Sequence, residues 1–349
     1  MSDFHSLTIQ DITRETPSAV SITFGVPSDL KAEYKFIAGQ YLTLKTTIDG
    51  KEVRRAYSLC SSPGSEILKV AVKEVSGGTF SVLANNKLAV GASLEVHPPE
   101  GKFILEPNAE NQNDYAAFVA GSGITPVLSI IKTVLEEEPK SRFLLVYGNK
   151  SIEETIFHTE LLKLQLQYAD RLFIEFVYSR TQEENSHFGR IARSTVNYVV
   201  KNKFKEHDFD RYFLCGPEAM ITEVKEVLTE NGVAEDKILF ELFSSKDEGV
   251  VQVSGDGNTK IKIIVDDEEF DFDMPQSQVI LDAALDRDID APHSCQGGIC
   301  SSCIARIKEG TAVMRKNQIL TDSEVAEGLV LTCQAQPTSP TIVVDYDEV

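Results

Sequence analysis

The first hundred residues alternate between polar and apolar positions over short segments. The segments SLTIQDITRE (6–15), AVSITFGV (19–26) and ILKVAVKEV (67–75) show this period-two pattern, and turns rich in Gly, Pro, Asn and Asp separate them. One segment in this part of the chain, TFSVLANN (79–86), instead predicts a helix. We therefore predict a small antiparallel β-barrel over residues 1–107.

After Pro107 the pattern changes to buried strands that alternate with amphipathic helices. DYAAFVAG (114–121) is a continuous apolar strand, and TPVLSIIKTVLEEE (125–138) has helical periodicity with Pro126 in its first turn. A further helix is predicted at 154–169. Alternating strands and helices predict an α/β domain with a parallel sheet over residues 108–243.

A polar segment with several glycines follows and predicts a linker at 244–259. Beyond it, KIKIIVD (260–266), the helical VILDAALDRD (279–288) and TIVVDYDEV (341–349) indicate a compact mixed α+β unit at 260–349.

Composition narrows the possible compartments and partners. The chain has 349 residues and a formal charge of −20, which disfavours nucleic acid and anionic membranes as partners. The N-terminal residues do not resemble a signal peptide, and no apolar run approaches the roughly eighteen residues of a membrane span. We expect the cytoplasm, where clustered cysteines bind metal more often than they form disulfides.

The acidic residues are concentrated towards the C-terminal end. Residues 246–349 carry 8 Lys and Arg against 20 Asp and Glu. An acidic module that is steered towards a basic protein surface would explain this distribution, and so would a simple requirement for solubility.

Four of the six cysteines follow a spacing that indicates an iron–sulfur site. Cys295, Cys300, Cys303 and Cys333 form the plant-type C-x4-C-x2-C…C arrangement that binds a 2Fe–2S cluster. Zinc is the main alternative, but zinc sites usually repeat C-x2-C, whereas one gap here is four residues and there is no second close pair. A disulfide is less favoured than zinc. Glycines let the loop wrap closely and small serines leave room for a cluster, here Gly297, Gly298, Ser294, Ser301 and Ser302. The isolated Cys60 and Cys215 are interpreted as small buried residues.

The stretch APHSCQGGICSSC…LTCQAQP resembles the ferredoxin domain that is fused to reductases of the ferredoxin–NADP reductase superfamily. Motifs upstream agree with the same family over essentially the whole chain. The resemblance implies a multidomain protein, with an antiparallel β-barrel FAD domain, a parallel-sheet nicotinamide-nucleotide domain and a β-grasp-like ferredoxin domain.

The flavin motifs lie in the predicted barrel. RAYSL (55–59) matches the family signature R-x-Y-S, in which an arginine holds phosphate, a tyrosine stacks on the flavin and a serine approaches it. GTFS (78–81) opens the predicted helix, whose N-terminus suits a pyrophosphate and therefore favours FAD over FMN. The resemblance implies that FAD binds at Arg55, Ala56, Tyr57, Ser58, Val72, Lys73, Gly78, Thr79, Phe80 and Ser81.

The nucleotide motifs lie at strand-to-helix turns. AGSGITP (120–126) and CGPEAM (215–220) match the family's nicotinamide-nucleotide elements, and YSR (178–180) favours NADPH over NADH because Arg180 can hold a 2′-phosphate. The implied nucleotide site contains Gly121, Gly123, Thr125, Pro126, Ser179, Arg180, Cys215, Gly216, Pro217 and Met220. The residues expected to act at the reacting centre are Ser58, Thr125, Cys215 and Glu241.

These cofactors imply a reductase that splits a hydride into single electrons. The resemblance implies that the electrons go to a partner oxygenase of the di-iron type. Three alternatives remain open at this point. The acceptor is another oxygenase or the hybrid-cluster protein, the chain is a stand-alone flavin, ferric or quinone reductase, or the cysteine domain is mainly a docking module.

Overall fold

In a computed structural model of the chain, the described residues are 4–243, 257–317 and 319–349. They form two compact units: residues 4–53 and 57–243 make up the larger unit, and residues 54–56 group with 257–349 in the smaller one. The linker predicted at 244–259 lies outside the described residues as far as 256, and its last two residues already belong to a strand.

The first part of the larger unit is an antiparallel barrel, as predicted. A β-bridge between Leu59 and Val70 joins the two ends of the six-stranded sheet and closes it. The strand order is β4-β3-β6-β1-β2-β5, and the elements are β1 (His5–Thr16), β2 (Ala19–Gly25), β3 (Tyr41–Ile48), β4 (Lys51–Ser58), β5 (Leu68–Lys73), helix α1 (Phe80–Asn86) and β6 (Ser93–Val96).

The second part is a six-stranded sheet in which every pairing is parallel. Its order is β10-β9-β8-β7-β11-β12, so the direction of winding reverses between β7 and β11. Ligands of open α/β sheets bind at the carboxyl ends of the strands beside such a reversal. The elements are β7 (Asp114–Ala120), α2 (Ile124–Glu137), β8 (Arg142–Asn149), α3 (His158–Gln167), β9 (Leu172–Tyr178), β10 (His187–Phe188), α4 (Arg193–Asn197), a π-helical turn (Tyr198–Lys203), β11 (Phe209–Gly216), α5 (Glu218–Glu230) and β12 (Ile238–Leu242).

The helix predicted at 154–169 was placed too early and ended slightly late. Helix α3 begins only at His158, because Phe157 adopts a left-handed conformation with φ of 61°. The hydroxyl of Tyr147 donates to the carbonyl of Ile156 at 3.3 Å and holds this segment as a turn against β8.

The smaller unit is a mixed α+β fold built on a five-stranded sheet of order β14-β13-β19-β15-β17. Its first and last strands, β13 and β19, pair in parallel, and β19 occupies the middle of the sheet. Strands β16 and β18 form a separate two-stranded sheet. The elements are β13 (Asn258–Val265), β14 (Glu268–Pro275), α6 (Ile280–Leu285), β15 (Ile304–Glu309), β16 (Ala312–Met314), α7 (Asp322–Ala326), β17 (Leu329–Leu331), β18 (Ala335–Pro337) and β19 (Thr341–Asp345).

Within the part of the chain that the structure describes, no helix is both long enough and apolar enough to cross a bilayer.

Two barrel glycines provide a matched test of close packing. A Cβ on Gly39 would lie 2.0 Å from the carbonyl oxygen of Phe103, whereas a Cβ on Gly50 would meet nothing within 4 Å, and both residues have positive φ. Gly50→Ala adds only backbone strain and is expected to lower the free energy of unfolding by about 1 kcal/mol. Gly39→Ala adds a steric overlap and is expected to lower it by about 2 to 4 kcal/mol. Urea unfolding measures both, and equal losses would contradict this reading of Gly39.

Candidate functional site

A buried hydrogen bond joins the barrel to the parallel sheet within the larger unit. Ser58, the last residue of β4, donates through Oγ to Oε2 of Glu241 on β12 at 3.2 Å. Both residues are buried. Burial raises the pKa of Glu241 to about 8, and the hydrogen bond from Ser58 opposes this rise. The carboxyl group is therefore protonated at neutral pH and can change its charge state only slightly above it.

Cys215 lies beside this pair, because β11 and β12 place it opposite Glu241 in their parallel register. Its thiol is fully buried. Burial raises the pKa of Cys215 well above its ordinary value, and the neighbouring Glu241 raises it further. A thiol held neutral in this way is not a nucleophile.

The turn after β7 approaches the end of β11 very closely. A Cβ on Gly123 would lie 2.2 Å from the carbonyl oxygen of Cys215, so only glycine fits. A Cβ on Gly216 would lie 2.9 Å from Cε of Met220, which packs the start of α5 against the same turn. The structure thus brings both predicted nucleotide motifs to the reversal point of the sheet.

Side-chain hydrogen bonds fix the same turn. Gly121 has φ of +57°, and its carbonyl oxygen accepts from the hydroxyl of Tyr147 at 2.9 Å. Thr125 Oγ1 donates to the carbonyl oxygen of Ser122 at 3.0 Å. Pro126 lies in the first turn of the fourteen-residue helix α2, where its missing N–H is not needed. A long helix that begins at this edge suits the phosphates of a dinucleotide.

The YSR segment continues the sheet beyond β9. The backbone N–H groups of Ser179 and Arg180 donate to the carbonyl oxygens of Asn149 and Lys150, both at 3.0 Å. The side chain of Arg180 is exposed. Two buried polar atoms beside it, Nδ2 of Asn149 and Oγ1 of Thr181, have no hydrogen-bond partner among the described residues. A ribose with its phosphate would supply partners for such atoms. The sequence analysis did not single out Asn149, because an asparagine at the end of a strand carries no distinctive sequence signal.

The second flavin motif is held against the barrel at the start of α1. The rings of Tyr57 and Phe80 lie 5.4 Å apart, and Ser81 Oγ accepts from the N–H of Val75 at 3.1 Å. A Cβ on Gly78 would lie 2.6 Å from Ser81 Oγ. Asn85 Nδ2 donates to the carbonyl oxygen of Val72 at 3.1 Å and ties α1 to β5. Among the other predicted flavin residues, Arg55 and Ala56 precede Tyr57 on β4, and Thr79 precedes α1.

Lys73 reaches the nucleotide turn rather than remaining within the barrel. Its Nζ lies 3.9 Å from Oε2 of Glu154 and 3.7 Å from the Cβ position of Gly121. Burial lowers the pKa of Lys73. Glu154 Oε2 also accepts from the hydroxyl of Ser18 at 3.2 Å. The ion pair therefore links the barrel to the segment before α3, a contact that local sequence patterns do not reveal.

In the smaller unit, the four predicted metal ligands come together as two pairs. All six cysteines of the chain are free thiols. Cys295 lies beside Cys300, and Cys333 lies beside Cys303. Within each pair the neighbouring thiol lowers the pKa of Cys295 and Cys333 and raises the pKa of Cys300 and Cys303.

Hydrogen-bond donors surround the sulfurs of Cys295 and Cys333. The N–H of Gly297 donates to Sγ of Cys295 at 3.3 Å, and the N–H groups of Ile299 and Cys300 act on the same sulfur. Gly298 has φ of +71°, and a Cβ there would lie 2.9 Å from Cγ of Gln334. Nε2 of Gln334 donates to Sγ of Cys333 at 3.6 Å. Such a cradle stabilises thiolates, which is the form that binds metal.

This arrangement fits a two-iron centre better than a single metal ion. Two pairs of thiols match a cluster in which four cysteines serve two irons, whereas structural zinc requires four ligands around one point. Among residues 4–243, 257–317 and 319–349, no three His, Cys, Asp or Glu side chains converge on one such point. The hydroxyl of Ser294, next to Cys295, is buried without a partner among these residues, which leaves a donor for a cluster sulfur.

Comparisons with known families assign a domain to each part of the chain. The oxidoreductase FAD-binding domain family matches residues 6–104, the oxidoreductase NAD-binding domain family matches 118–226, and the 2Fe-2S iron-sulfur cluster binding domain family matches 263–338. The predicted cofactor classes, FAD, a nicotinamide nucleotide and a 2Fe–2S cluster, are thereby confirmed.

Full-length relatives have the same domains. The chain is 39% identical over 354 residues to one of the subunits of the 1,2-phenylacetyl-CoA epoxidase of Escherichia coli K12, covering 99% of both proteins. It is 31% identical to the ferredoxin reductase component of the 3-ketosteroid-9-alpha-monooxygenase of Rhodococcus rhodochrous, covering 97% of this chain and 96% of that protein. Among solved structures, phthalate dioxygenase reductase shares the fold, with a TM-score of 0.59, 23% identity and 98% of each chain covered.

The buried carboxyl group of Glu241 predicts a pH-dependent stability. The unfolded chain loses this proton near pH 4.5, whereas the folded chain keeps it until about pH 8, so the free energy of unfolding falls as the pH rises through this window. In Glu241→Gln this component is absent. Thermal unfolding from about pH 5 to about pH 9 should therefore show wild type losing stability relative to the variant. The exposed Glu206→Gln is the control, and parallel profiles for wild type and Glu241→Gln would contradict the assignment.

Proposed function

Because this chain belongs to the ferredoxin–NADP reductase superfamily, in the branch with a C-terminal 2Fe–2S domain, we propose that it supplies electrons from NADPH to an oxygenase of the phenylacetyl-CoA epoxidase type. It is an NAD(P)H-dependent flavoprotein reductase with FAD and a 2Fe–2S centre. The observation that carries the choice of acceptor is the 39% identity, over 99% of both chains, with the 1,2-phenylacetyl-CoA epoxidase protein of Escherichia coli.

The bound cofactors supply the conversion of a two-electron donor into single electrons, and the protein positions them. We assign FAD to the barrel motifs at 55–58 and 78–81, and the nucleotide to the turns after β7 and β11. Cys295, Cys300, Cys303 and Cys333 would hold the cluster, since their sulfurs form two pairs within a cradle of N–H groups. Ser58 would orient the protonated carboxyl group of Glu241 through the hydrogen bond that it donates to Oε2.

A di-iron acceptor in the cytoplasm is the finer part of the proposal. The reducing cytosol suits six free cysteines. A second acceptor class is supported by the 31% identity to the 3-ketosteroid-9-alpha-monooxygenase reductase component. Acceptors of the hybrid-cluster type, free ferric iron and quinones remain outcomes of the test.

Reoxidation kinetics would decide between these acceptors. The chain, reduced anaerobically with NADPH, is mixed in a stopped-flow instrument with purified oxygenase components or with free ferric iron and quinone. We expect the phenylacetyl-CoA epoxidase oxygenase to reoxidise it at least about tenfold faster than the ketosteroid oxygenase, since a matched interface is worth at least about 1.4 kcal/mol. Equal rates with both, or a faster rate with the free acceptors, would reject the proposed partner.

The cysteine assignment predicts a separation of two activities. Cys300→Ser should remove the visible absorption of the cluster and lower reduction of cytochrome c and of the oxygenase by about a hundredfold or more, because a serine leaves one iron without its thiolate. NADPH-driven reduction of ferricyanide, which the flavin alone can carry out, should stay within about twofold of wild type. Ser323→Ala, on the exposed helix α7, is the control. Unchanged cytochrome c reduction in Cys300→Ser would favour a docking role for this domain.

The preference for NADPH is assigned to the exposed guanidinium of Arg180. Arg180→Ala should raise KM for NADPH about 10- to 100-fold, the value of a charge-assisted hydrogen bond to phosphate, and leave KM for NADH within about twofold. Arg211→Ala is the matched control, because Arg211 is also exposed but lies near the N-terminal end of β11, whereas Arg180 follows the C-terminal end of β9. Comparable efficiency of wild type with NADH and NADPH would overturn this assignment.

A further inference from the structure

A buried glutamine in the smaller unit connects the two parts of the cysteine site. Gln334 directly follows Cys333 and is 7% exposed. Its side-chain amino group, Nε2, donates to the carbonyl oxygen of Gln296 at 3.1 Å and to Sγ of Cys333 at 3.6 Å. Gln296 directly follows Cys295. One amide group therefore joins the loop that carries three cysteines to the segment that carries the fourth.

The carbonyl oxygen of Gln296 fixes the orientation of this amide. A carbonyl oxygen can only accept a hydrogen bond, so the atom that faces it at 3.1 Å is the amino nitrogen of Gln334 and not the amide oxygen. An amino group carries two N–H donors. One of them is used by Gln296, and the other is available to the sulfur of Cys333.

The backbone and the stem of Gln334 leave the amide little freedom to turn away. Its N–H donates to the carbonyl oxygen of Leu331 at 2.8 Å, and its own carbonyl oxygen accepts from the N–H of Arg315 at 2.9 Å. A Cβ on Gly298 would lie 2.9 Å from Cγ of Gln334, so the loop packs directly on the stem. Gln296 has φ of +53°, a left-handed conformation that persists only where its surroundings hold it. The bond from Gln334 is one of the contacts that hold it.

We propose that the side-chain amide of Gln334 donates a hydrogen bond to the sulfur of Cys333 when the cluster is bound, and that this bond raises the reduction potential of the 2Fe–2S centre. Gln334 is a positioning residue, because it acts on the centre through the cysteine and binds no iron itself. This inference rests on the assignment of the four cysteines under Proposed function, and it is independent of which acceptor the chain serves.

The direction of the effect follows from charge. Reduction adds one negative charge to the centre, so a donor to a sulfur ligand stabilises the reduced form more than the oxidised form. The surrounding charge opposes reduction, because residues 257–349 contain seventeen Asp and Glu against seven Lys and Arg. A neutral donor inside the domain offsets part of this effect without burying a cation.

The test is a redox titration, followed by EPR, of full-length Gln334→Met with FAD and cluster bound. Methionine keeps the length of the side chain but has no N–H to donate. At a fixed potential the ratio of reduced to oxidised cluster should fall about three- to tenfold, which corresponds to about 28 to 59 mV for one electron. The flavin midpoint should stay unchanged.

Gln336→Met is the matched control. Gln336 is also buried and lies two residues further along, on β18. Its Nε2 donates to the carbonyl oxygen of Ser277. The substitution therefore removes a buried amide that bonds a backbone carbonyl instead of a sulfur, and the cluster midpoint should stay unchanged.

A measurement on wild type covers the case in which Gln334→Met does not retain the cluster. The chain is synthesised with glutamine labelled with 15N in the side-chain amide, reduced, and studied by pulsed EPR. A hydrogen bond to Sγ of Cys333 transmits unpaired spin from the reduced centre to the donor nitrogen. A 15N coupling should therefore appear in wild type and persist in Gln336→Met.

Two results would overturn the proposal. One is an unchanged midpoint in Gln334→Met, even with a lower Tm, because an amide that only holds the loop would affect stability and not the potential. The other is the absence of a 15N coupling in reduced, labelled wild type. If wild type itself gave no EPR signal on reduction, the cysteine assignment would fail instead, so the two failures can be told apart.

Discussion

The parallel pairing of β7 with β11 is the constraint on which the proposed reacting centre depends. Winding of the sheet reverses between these two strands, so the turns that follow them open at one edge. The carbonyl of Cys215 and the backbone of Gly123 then approach so closely that no side chain fits between them. On its other side β11 pairs in parallel with β12, and this register places Glu241 next to Cys215. Ser58, at the end of strand β4 of the barrel, donates a hydrogen bond to Glu241. A shift of one residue in either pairing would separate all of these groups.

Much of this arrangement could be predicted from local patterns. Alternation of apolar residues identified the barrel strands, and the spacing of four cysteines identified the cluster class. The order of the motifs along the chain then predicted that the glycine-containing turns follow strands of the parallel sheet. The start of α3 was misjudged because the left-handed Phe157 is fixed by tertiary contacts with β8, not by its own propensity. Short elements between 187 and 203 carry too few residues for a periodic signal.

Residues that act across long sequence separations could not be predicted in this way. Asn149 and Thr181 attract attention only because their buried polar atoms lack partners among the described residues. Lys73 of the barrel lies 3.9 Å from Glu154, which belongs to the parallel-sheet part of the chain. In each case the chemistry depends on which strands are neighbours, and strand order is a property of the whole fold.

The position of β19 has a consequence for biosynthesis. This strand is the last of its domain to be translated, yet it lies in the middle of the five-stranded sheet, between β13 and β15. On the ribosome, the cysteine loop therefore emerges before the sheet that will support it can close. Sheet formation must wait until residues 341–345 have left the exit tunnel, so the cysteine loop is exposed before the sheet that supports it is complete.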